Sequence, residues 1–333
     1  MKTWMKCAAA AVLAAAALTA AGCGASSDKA ASGAKDGAKK IAIVQLMQHG
    51  SLDAANKGFL DALKENGYGP DKISVDQQNA QGDQSNLKSI AARFKNQKPD
   101  LICAIATPAA QAIGNEITDT PIVGIAITDY VQAKLVKSAD KPDTNITGAS
   151  DMNPVSAQID LAMKILPNAK RAGLIYCSSE VNSEIQGNEM KKRAGELGLQ
   201  VVEKTVSNVN DIQQVAESMV GQVDFIYVPT DNVIASAIPT LVKVTDPAKI
   251  PVFVGADSMA KDGAFASLSV DYYRLGKTAG AMAAKILKGE AKPQTMAIET
   301  QKDLEVIINK KDADTLGIQI PDEILKKAKL VGE

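Results

Sequence analysis

One histidine stands in the whole chain, His49, beside four cysteines at positions 7, 23, 103 and 177. A multi-histidine metal centre is thereby excluded, and any Ser-His-Asp mechanism would have to run through His49. Nothing resembles a GxSxG elbow, so no catalytic residue is expected. The chain does offer acids and hydroxyls in short polar clusters, each directly after an apolar run. They are Gln48-His49-Gly50-Ser51, Thr107-Pro108-Ala109, Thr128-Asp129, Ser178-Ser179-Glu180-Val181-Asn182-Ser183, Thr230-Asp231-Asn232, Asp257-Ser258 and Asp271-Tyr272-Tyr273. These clusters contain no Lys or Arg, and no P-loop or GxGxxG follows the apolar runs, which counts against a phosphate or sulfate site.

Hydroxyls and free backbone N–H groups at helix starts suit one carboxylate. Glu180, Asp231, Asp257 and Asp271 have the opposite preference and suit an ammonium. Together they describe a clamp for a small zwitterion, which fits an α-amino acid better than a sugar or an anion. Each residue also has a plain structural role open to it. Asp231 and Asp271 could cap their own helices, and Ser183 with Gln186 fits a capping box. His49 could contact ligand or pack on its own helix, and Tyr272 and Tyr130 are the candidate ring partners.

The elements that must position these clusters follow from periodicity. Apolar runs without polar alternation at Ile41–Met47, Leu101–Ala106, Ile122–Ile127, Arg171–Tyr176, Phe225–Pro229 and Pro251–Val254 predict strands buried on both faces of parallel sheets. Ile73–Gln77, Gln200–Val202 and Phe265–Val270 complete the expected set. Between them, Leu52, Ala55, Phe59 and Leu63 keep one helical face until Gly67, and Val155, Ile159, Ala162 and Leu166 do so until Pro167. Leu275, Ala279, Met282 and Ile286 give a further helix, ending at Gly289. The strand-helix alternation occurs twice, from residue 40 to about 147 and from 170 to about 271. An α/β fold of two Rossmann-like lobes is expected, with the small-residue stretch Asn145–Asp151 as a crossover and ligand in the cleft.

The N-terminus indicates the compartment. Lys2 and Lys6 precede an uninterrupted apolar run, Cys7 to Leu18, shorter than the ~20 residues that span a bilayer. With the small residues leading to Ala20-Ala21-Gly22-Cys23, this is the layout of a secretory signal peptide over residues 1–22. The cysteine after Ala-Ala-Gly resembles a bacterial lipobox, which implies lipidation of Cys23 and an extracytoplasmic protein anchored to the cell membrane. Residues 23–39 lack any large apolar side chain and read as a flexible tether. Cys103 and Cys177 sit in apolar strand-like stretches and read as buried thiols.

Four blocks carry a wider likeness: DLICAIATPAAQAI (100–113), LIYCSSEVNS (174–183), VDFIYVPTDN (223–232) and SVDYYRLGKTAGAMAAKILKGE (269–290). They resemble the ABC-transporter substrate-binding lipoproteins of the tryptophan/tyrosine-type family, as do LDAANKGF, QQNAQGD, TDYVQAKLV and NITGASD in order. The resemblance implies a type I periplasmic-binding-protein fold with a three-segment hinge. Its N-terminal lobe would comprise 40–147 plus 272–292, and its C-terminal lobe 148–271 plus 293–333. It implies delivery of an aromatic amino acid (tryptophan, phenylalanine or tyrosine) to a permease driven by a separate ATPase, by a monomer without cofactor or metal. Carried over, Thr107 and Pro108 lie on the N-lobe rim with Thr128 and Asp129 in the next loop. Ser178, Ser179, Glu180, Asn182 and Ser183 lie on the C-lobe rim beside Thr230, Asp231 and Asn232. The family often has Glu-His-Pro where Gln48-His49-Gly50 stands, Asn at Cys177 and Glu near Asp257.

Composition narrows the rivals. With 37 basic against 38 acidic residues there is no electrostatic footprint for nucleic acid or for an anionic membrane surface. A sugar or nucleoside binder would usually sandwich a ring between aromatics, and aromatics are 4% of this chain. The effector-binding half of a transcription regulator would share the fold, but the export signal and the lack of DNA-binding helices count against it. A hydrolase would need a catalytic constellation that is missing.

Overall fold

The computed structural model describes residues 37–332. The expected signal segment, Cys23 and nearly all of the tether lie outside the described residues. The chain opens with β1 (Lys39–Gln45), α1 (Gly50–Glu65), β2 (Ile73–Asn79), α2 (Gln84–Gln97), β3 (Leu101–Ile105), α3 (Thr107–Glu116), β4 (Ile122–Ile125) and β5 (Ile146–Ser150). It then crosses to α4 (Val155–Ile165), β6 (Arg171–Cys177), α5 (Val181–Glu196), β7 (Gln200–Val206), α6 (Ile212–Met219) and β8 (Phe225–Val228). There follow α7 (Asn232–Ala235), α8 (Ile238–Thr245), β9 (Val252–Val254), α9 (Asp257–Lys261), β10 (Ala266–Ser269) and α10 (Tyr272–Leu287). The last elements are β11 (Glu299–Thr300), β12 (Glu305–Asn309), α11 (Lys310–Leu316), α12 (Asp322–Leu325) and β13 (Lys329–Val331).

Two sheets result, ordered β11-β5-β4-β3-β1-β2 and β13-β12-β10-β9-β8-β6-β7. Every neighbouring pair is parallel except β10 with β12. Helices cover both faces, which is why LICAI, IVGI and FIYV can be apolar at every position and buried throughout. The edge strand β2, ISVDQQN, alternates exposed and half-buried residues instead, and its polar side chains protect an open edge. In the second lobe Phe225, Phe253 and Phe265 pack edge to face, with ring centroids 5.7 and 5.2 Å apart.

Helix α10 follows β10 of the second sheet yet packs on α1 of the first lobe. Glycines allow that return. A Cβ on Gly276 would sit 1.9 Å from the Ala55 carbonyl oxygen, and one on Gly58 would sit 2.1 Å from that of Tyr273. The two backbones therefore touch where any side chain would force them apart.

The chain passes between the sheets three times, after Ser150, after Ser269 and after Thr300. Side chains stitch these crossings together. Asn153 donates to the Gly255 carbonyl at 2.7 Å and accepts from the Val270 amide at 3.2 Å, while Gln301 both accepts from and donates to the Asp271 backbone. Each strand expected from periodicity occurs, with ends moved by a few residues. The expected lobe boundaries need correcting, because the 147/148 division falls inside β5, which pairs with β4 in the first sheet. The expected second lobe includes residues 293–300, but Glu299 and Thr300 pair with Ala149 and Ser150 in the first sheet. These segments lack an apolar run, so only the available sheet edge decides where they pair.

Candidate functional site

The strand-to-helix loops of the two sheets face each other and are hydrogen-bonded across the junction. His49 Nε2 lies 3.1 Å from Asn232 Oδ1, the Ser51 and Ser258 hydroxyls are 2.7 Å apart, and Thr128 Oγ1 is 3.3 Å from Thr230 Oγ1. Gln186 reaches across to donate to Thr128 Oγ1 at 3.3 Å and also bonds Thr230 Oγ1. Between these contacts the loops meet closely and leave a cavity of only about 10 Å³, roughly the room one water needs, so a ligand is admitted only as the lobes part. Leu52, Ala126, Ala235, Ala256 and Met259 form its apolar wall. His49, Asp151, Asn182, Thr230, Asp231, Asn232 and Tyr272 form the polar one, with no Lys or Arg among them. A broader surface groove at Ile165–Arg171 and Leu197–Gln200 lies at the amino ends of β6 and β7, away from these loops.

The acids of the second lobe are already occupied. Asp231 accepts from the Cys177 amide at 2.6 Å, the Ser183 hydroxyl at 2.8 Å and the Ile234 amide at 2.9 Å, the last as cap of α7. Glu180 accepts from the Asn232 amide and side chain at 3.2 and 2.6 Å, the Asn182 side chain at 3.0 Å and the Val233 amide at 3.1 Å. Burial, and then the neighbouring Asp231 charge, pushes Glu180 up to about 8. Burial also raises Asp231, against the three donors that hold it ionised.

Asp151 is the third buried acid. Its partners are two hydroxyls, Tyr272 at 2.8 Å and Thr128 at 3.1 Å. Burial raises its carboxyl and, with the Asp151 charge beside it, lifts the Tyr272 phenol well above its usual range. His49 is lowered by burial, which keeps the ring neutral near pH 7. Asn232 spends its amide N–H on Glu180, so its carbonyl oxygen must accept, and the His49 proton is assigned to Nε2. That leaves His49 Nδ1 as a buried acceptor without a partner, in company with Asn182 Oδ1 on the same cavity and the Thr107 hydroxyl nearby in sequence to β3's end.

Helix starts also open here. The cap residues of α1, α3 and α9 (His49, Ala106 and Ala256) give no side-chain bond to their own helix, so first-turn amides stay available. Ala106 and Ala126 both hold positive φ, 85° and 56°, a strain found where backbone is shaped for a ligand.

Several expected site residues serve elsewhere. Gln48 is exposed and lines a separate polar depression with Gln77, Gln78 and Asn79. Asp129 accepts from the Val131 and Gln132 amides of its own turn. Ser178 and Ser179 are exposed, and the Ser179 hydroxyl lies 3.2 Å from Cys177 Sγ. Ser183 forms no capping box, because it lies inside α5 and its hydroxyl goes to Asp231. Asp257 pairs with Lys261 one turn on, and Asp271 caps α10 through the Arg274 amide. Thr107 and Pro108 are buried in the first turn of α3. Tyr130 is core, its hydroxyl on the Ala149 carbonyl. Cys103 and Cys177 are free and buried. Sequence reasoning misses Asp151, whose only signal is an acid inside the small-residue crossover, and gives Gln186 a capping role only; Ser51 and Ser258 stand in the polar clusters, but their pairing across the lobes has no sequence signal.

Two α/β lobes joined by three crossings, with their loops closed over an enclosed polar cavity, define a ligand-trapping binding protein of the type I periplasmic fold. The chain belongs to the ABC transporter substrate binding protein family, whose model matches residues 40–331. As such it is an extracytoplasmic substrate-binding component working with a membrane permease. A tyrosine-binding protein of Clostridioides difficile (strain R20291) is 42% identical over 282 residues, spanning 84% of this chain and 81% of its own. The ABC domain from Streptococcus pneumonia in complex with L-Trp is 40% identical, covering 88% of this chain and 99% of its own, at a TM-score of 0.86. A ligand-free, open substrate binding protein with adhesive properties from Clostridium difficile has the same identity and coverage but a TM-score of 0.68. The lobes here thus stand nearer the arrangement of the L-Trp complex. More distant matches at 13–17% identity share the fold alone. The Clostridioides difficile and Clostridium difficile relatives are binding proteins by name. Among the described residues no helix is long and apolar enough to cross a membrane.

Proposed function

We propose that the protein captures an aromatic α-amino acid (tyrosine, tryptophan or phenylalanine) by lobe closure and hands it, unaltered, to an ABC permease powered by a separate ATPase. The observation that carries this is the character of the cavity wall: His49 Nδ1 and Asn182 Oδ1 are acceptors without partners, and the Asp151 carboxylate beside them accepts only from two hydroxyls. A ligand that completes the site brings N–H donors, as an ammonium does. Its carboxylate is received by the uncapped amides at the start of α1, a sixteen-residue helix whose cap is His49. Its ring lies against Leu52, Met259 and Tyr272. Thr128, Thr230 and Asn232 sit where the lobes meet, so ligand contacts made in the closed form shift an open-closed equilibrium. The protein acts as a monomer without cofactor, metal or catalytic residue, held to the membrane by a lipid on Cys23.

Fluorescence tests the ligand directly. The sole tryptophan is Trp4, inside the expected signal segment, so material beginning at Cys23 gives almost no emission on excitation near 295 nm. Titrated L-tryptophan should then report its own burial by a blue-shifted emission that L-tyrosine and L-phenylalanine compete away. Failure of all three to bind at millimolar concentration in calorimetry, with a sugar or nucleoside binding instead, would refute the proposal.

A further inference from the structure

Asp151 and Asp231 line the cavity and Glu180 lies behind its Asn182 and Asn232, and the three buried acids are not equivalent. Asp231 accepts three hydrogen bonds and Glu180 four, most of them from backbone amides that cannot turn away. A carboxylate has about four lone-pair sites, so both groups are close to saturated by the protein itself. Asp151 accepts only from two hydroxyls, Tyr272 and Thr128, and a hydroxyl can rotate to another acceptor. It is 3% exposed and lies on the cavity wall. Among the described residues it makes no ion pair, although a buried carboxylate without a cation is costly. Independently, Asn182 on the same wall is 3% exposed and its Oδ1 has no partner, a second group arranged for a donor the protein does not supply.

We infer that Asp151, rather than Asp231 or Glu180, takes the ligand's ammonium and makes the protein select amines. This rests on the amino-acid reading above and assigns the residue that enforces it. Asp151 begins the first crossing between the lobes, and Tyr272 begins the helix after the second. Thr128 links the same carboxylate to Thr230 and Gln186 across the cleft. A charge seated on Asp151 therefore acts at the hinge and at the closing edge together.

The test compares each amino acid with its desamino acid: L-tyrosine with 3-(4-hydroxyphenyl)propionate and L-tryptophan with indole-3-propionate. Calorimetry is run on the wild-type chain, Asp151→Asn and Asp231→Asn. The wild type should prefer the amino acid a hundredfold or more, and Asp151→Asn should cut that preference to within about threefold by weakening the amino acid alone. Asp231→Asn should keep the preference, whatever it does to stability. The inference is overturned if Asp151→Asn binds L-tyrosine within threefold of wild type, if it weakens both members of a pair equally, or if the preference vanishes in Asp231→Asn instead. A wild-type protein that binds neither amino acid overturns the functional reading as well, which separates the two failures. Thermal melting of the ligand-free variants shows that each is folded before it is titrated.

Discussion

The Ser51–Ser258 contact gives the sharpest test of closure. The two hydroxyls lie on opposite lobes, 1% and 6% exposed, and their 2.7 Å hydrogen bond is the only side-chain bond found for either among the described residues. In Ser258→Ala the closed form buries the Ser51 hydroxyl without a partner, whereas in an open form water satisfies it. An unsatisfied buried hydroxyl costs ~1–3 kcal/mol, all of it charged to the closed form. At ~1.4 kcal/mol per tenfold, the apparent Kd should rise by roughly 5- to 150-fold. Removing both groups leaves nothing unsatisfied, so Ser51→Ala/Ser258→Ala should bind within about threefold of wild type. Calorimetry with L-tyrosine or L-tryptophan measures the affinities, and small-angle scattering reports whether saturating ligand still compacts each variant. The reasoning fails if the double variant loses the sum of the single losses, or if Ser258→Ala binds as wild type does.

Gly276→Ala would place a methyl 1.9 Å from the Ala55 carbonyl oxygen, where overpacking costs ~1–3 kcal/mol, so the melting temperature should drop by several degrees; an unchanged melt would mean that α1 and α10 separate freely. Asp271→Ala removes the α10 cap, which should cost ~0.5–2 kcal/mol of stability while leaving ligand affinity within about twofold, and a large affinity loss at unchanged stability would restore Asp271 to the site. For pH, Glu180 binds its proton more tightly in the folded chain, about 8 against 4.5. Its contribution to stability is therefore full below pH 4.5 and is lost as pH rises through 8, with a slope of up to ~1.4 kcal/mol per pH unit. Ligand-free melting should accordingly fall between pH 5 and 8.5, and Glu180→Gln should flatten that fall. An equal slope in the variant would assign it to another buried acid such as Asp312, raised to about 7 by burial and Asp246.

Much of the architecture was legible because its signals are local. Unbroken apolar runs such as LICAI and IVGI marked buried parallel strands, and 3.6-residue spacing with Gly and Pro stops marked the helices. The strands without such a signal are β5 and β11, whose ITGAS and ET bury little apolar surface of their own and pair wherever an edge is free; β12 and β13, beyond the repeated strand-helix units, are not expected either.

The sequence by itself determined that this is a two-lobed α/β binding protein, and that its strand-end loops hold hydroxyls and acids without a cation. Those properties follow from residue type and short-range periodicity, which need no knowledge of distant neighbours. Only the tertiary structure decided which acid stays free. Asp231, Glu180, Asp257 and Asp271 looked alike in one dimension, yet folding gives each its own donors or cation, while Asp151 meets only two rotatable hydroxyls. The physical reason is that a carboxylate's availability depends on how its lone pairs are shared among groups up to 121 residues away, and those groups are brought together only when the lobes and their crossings assemble.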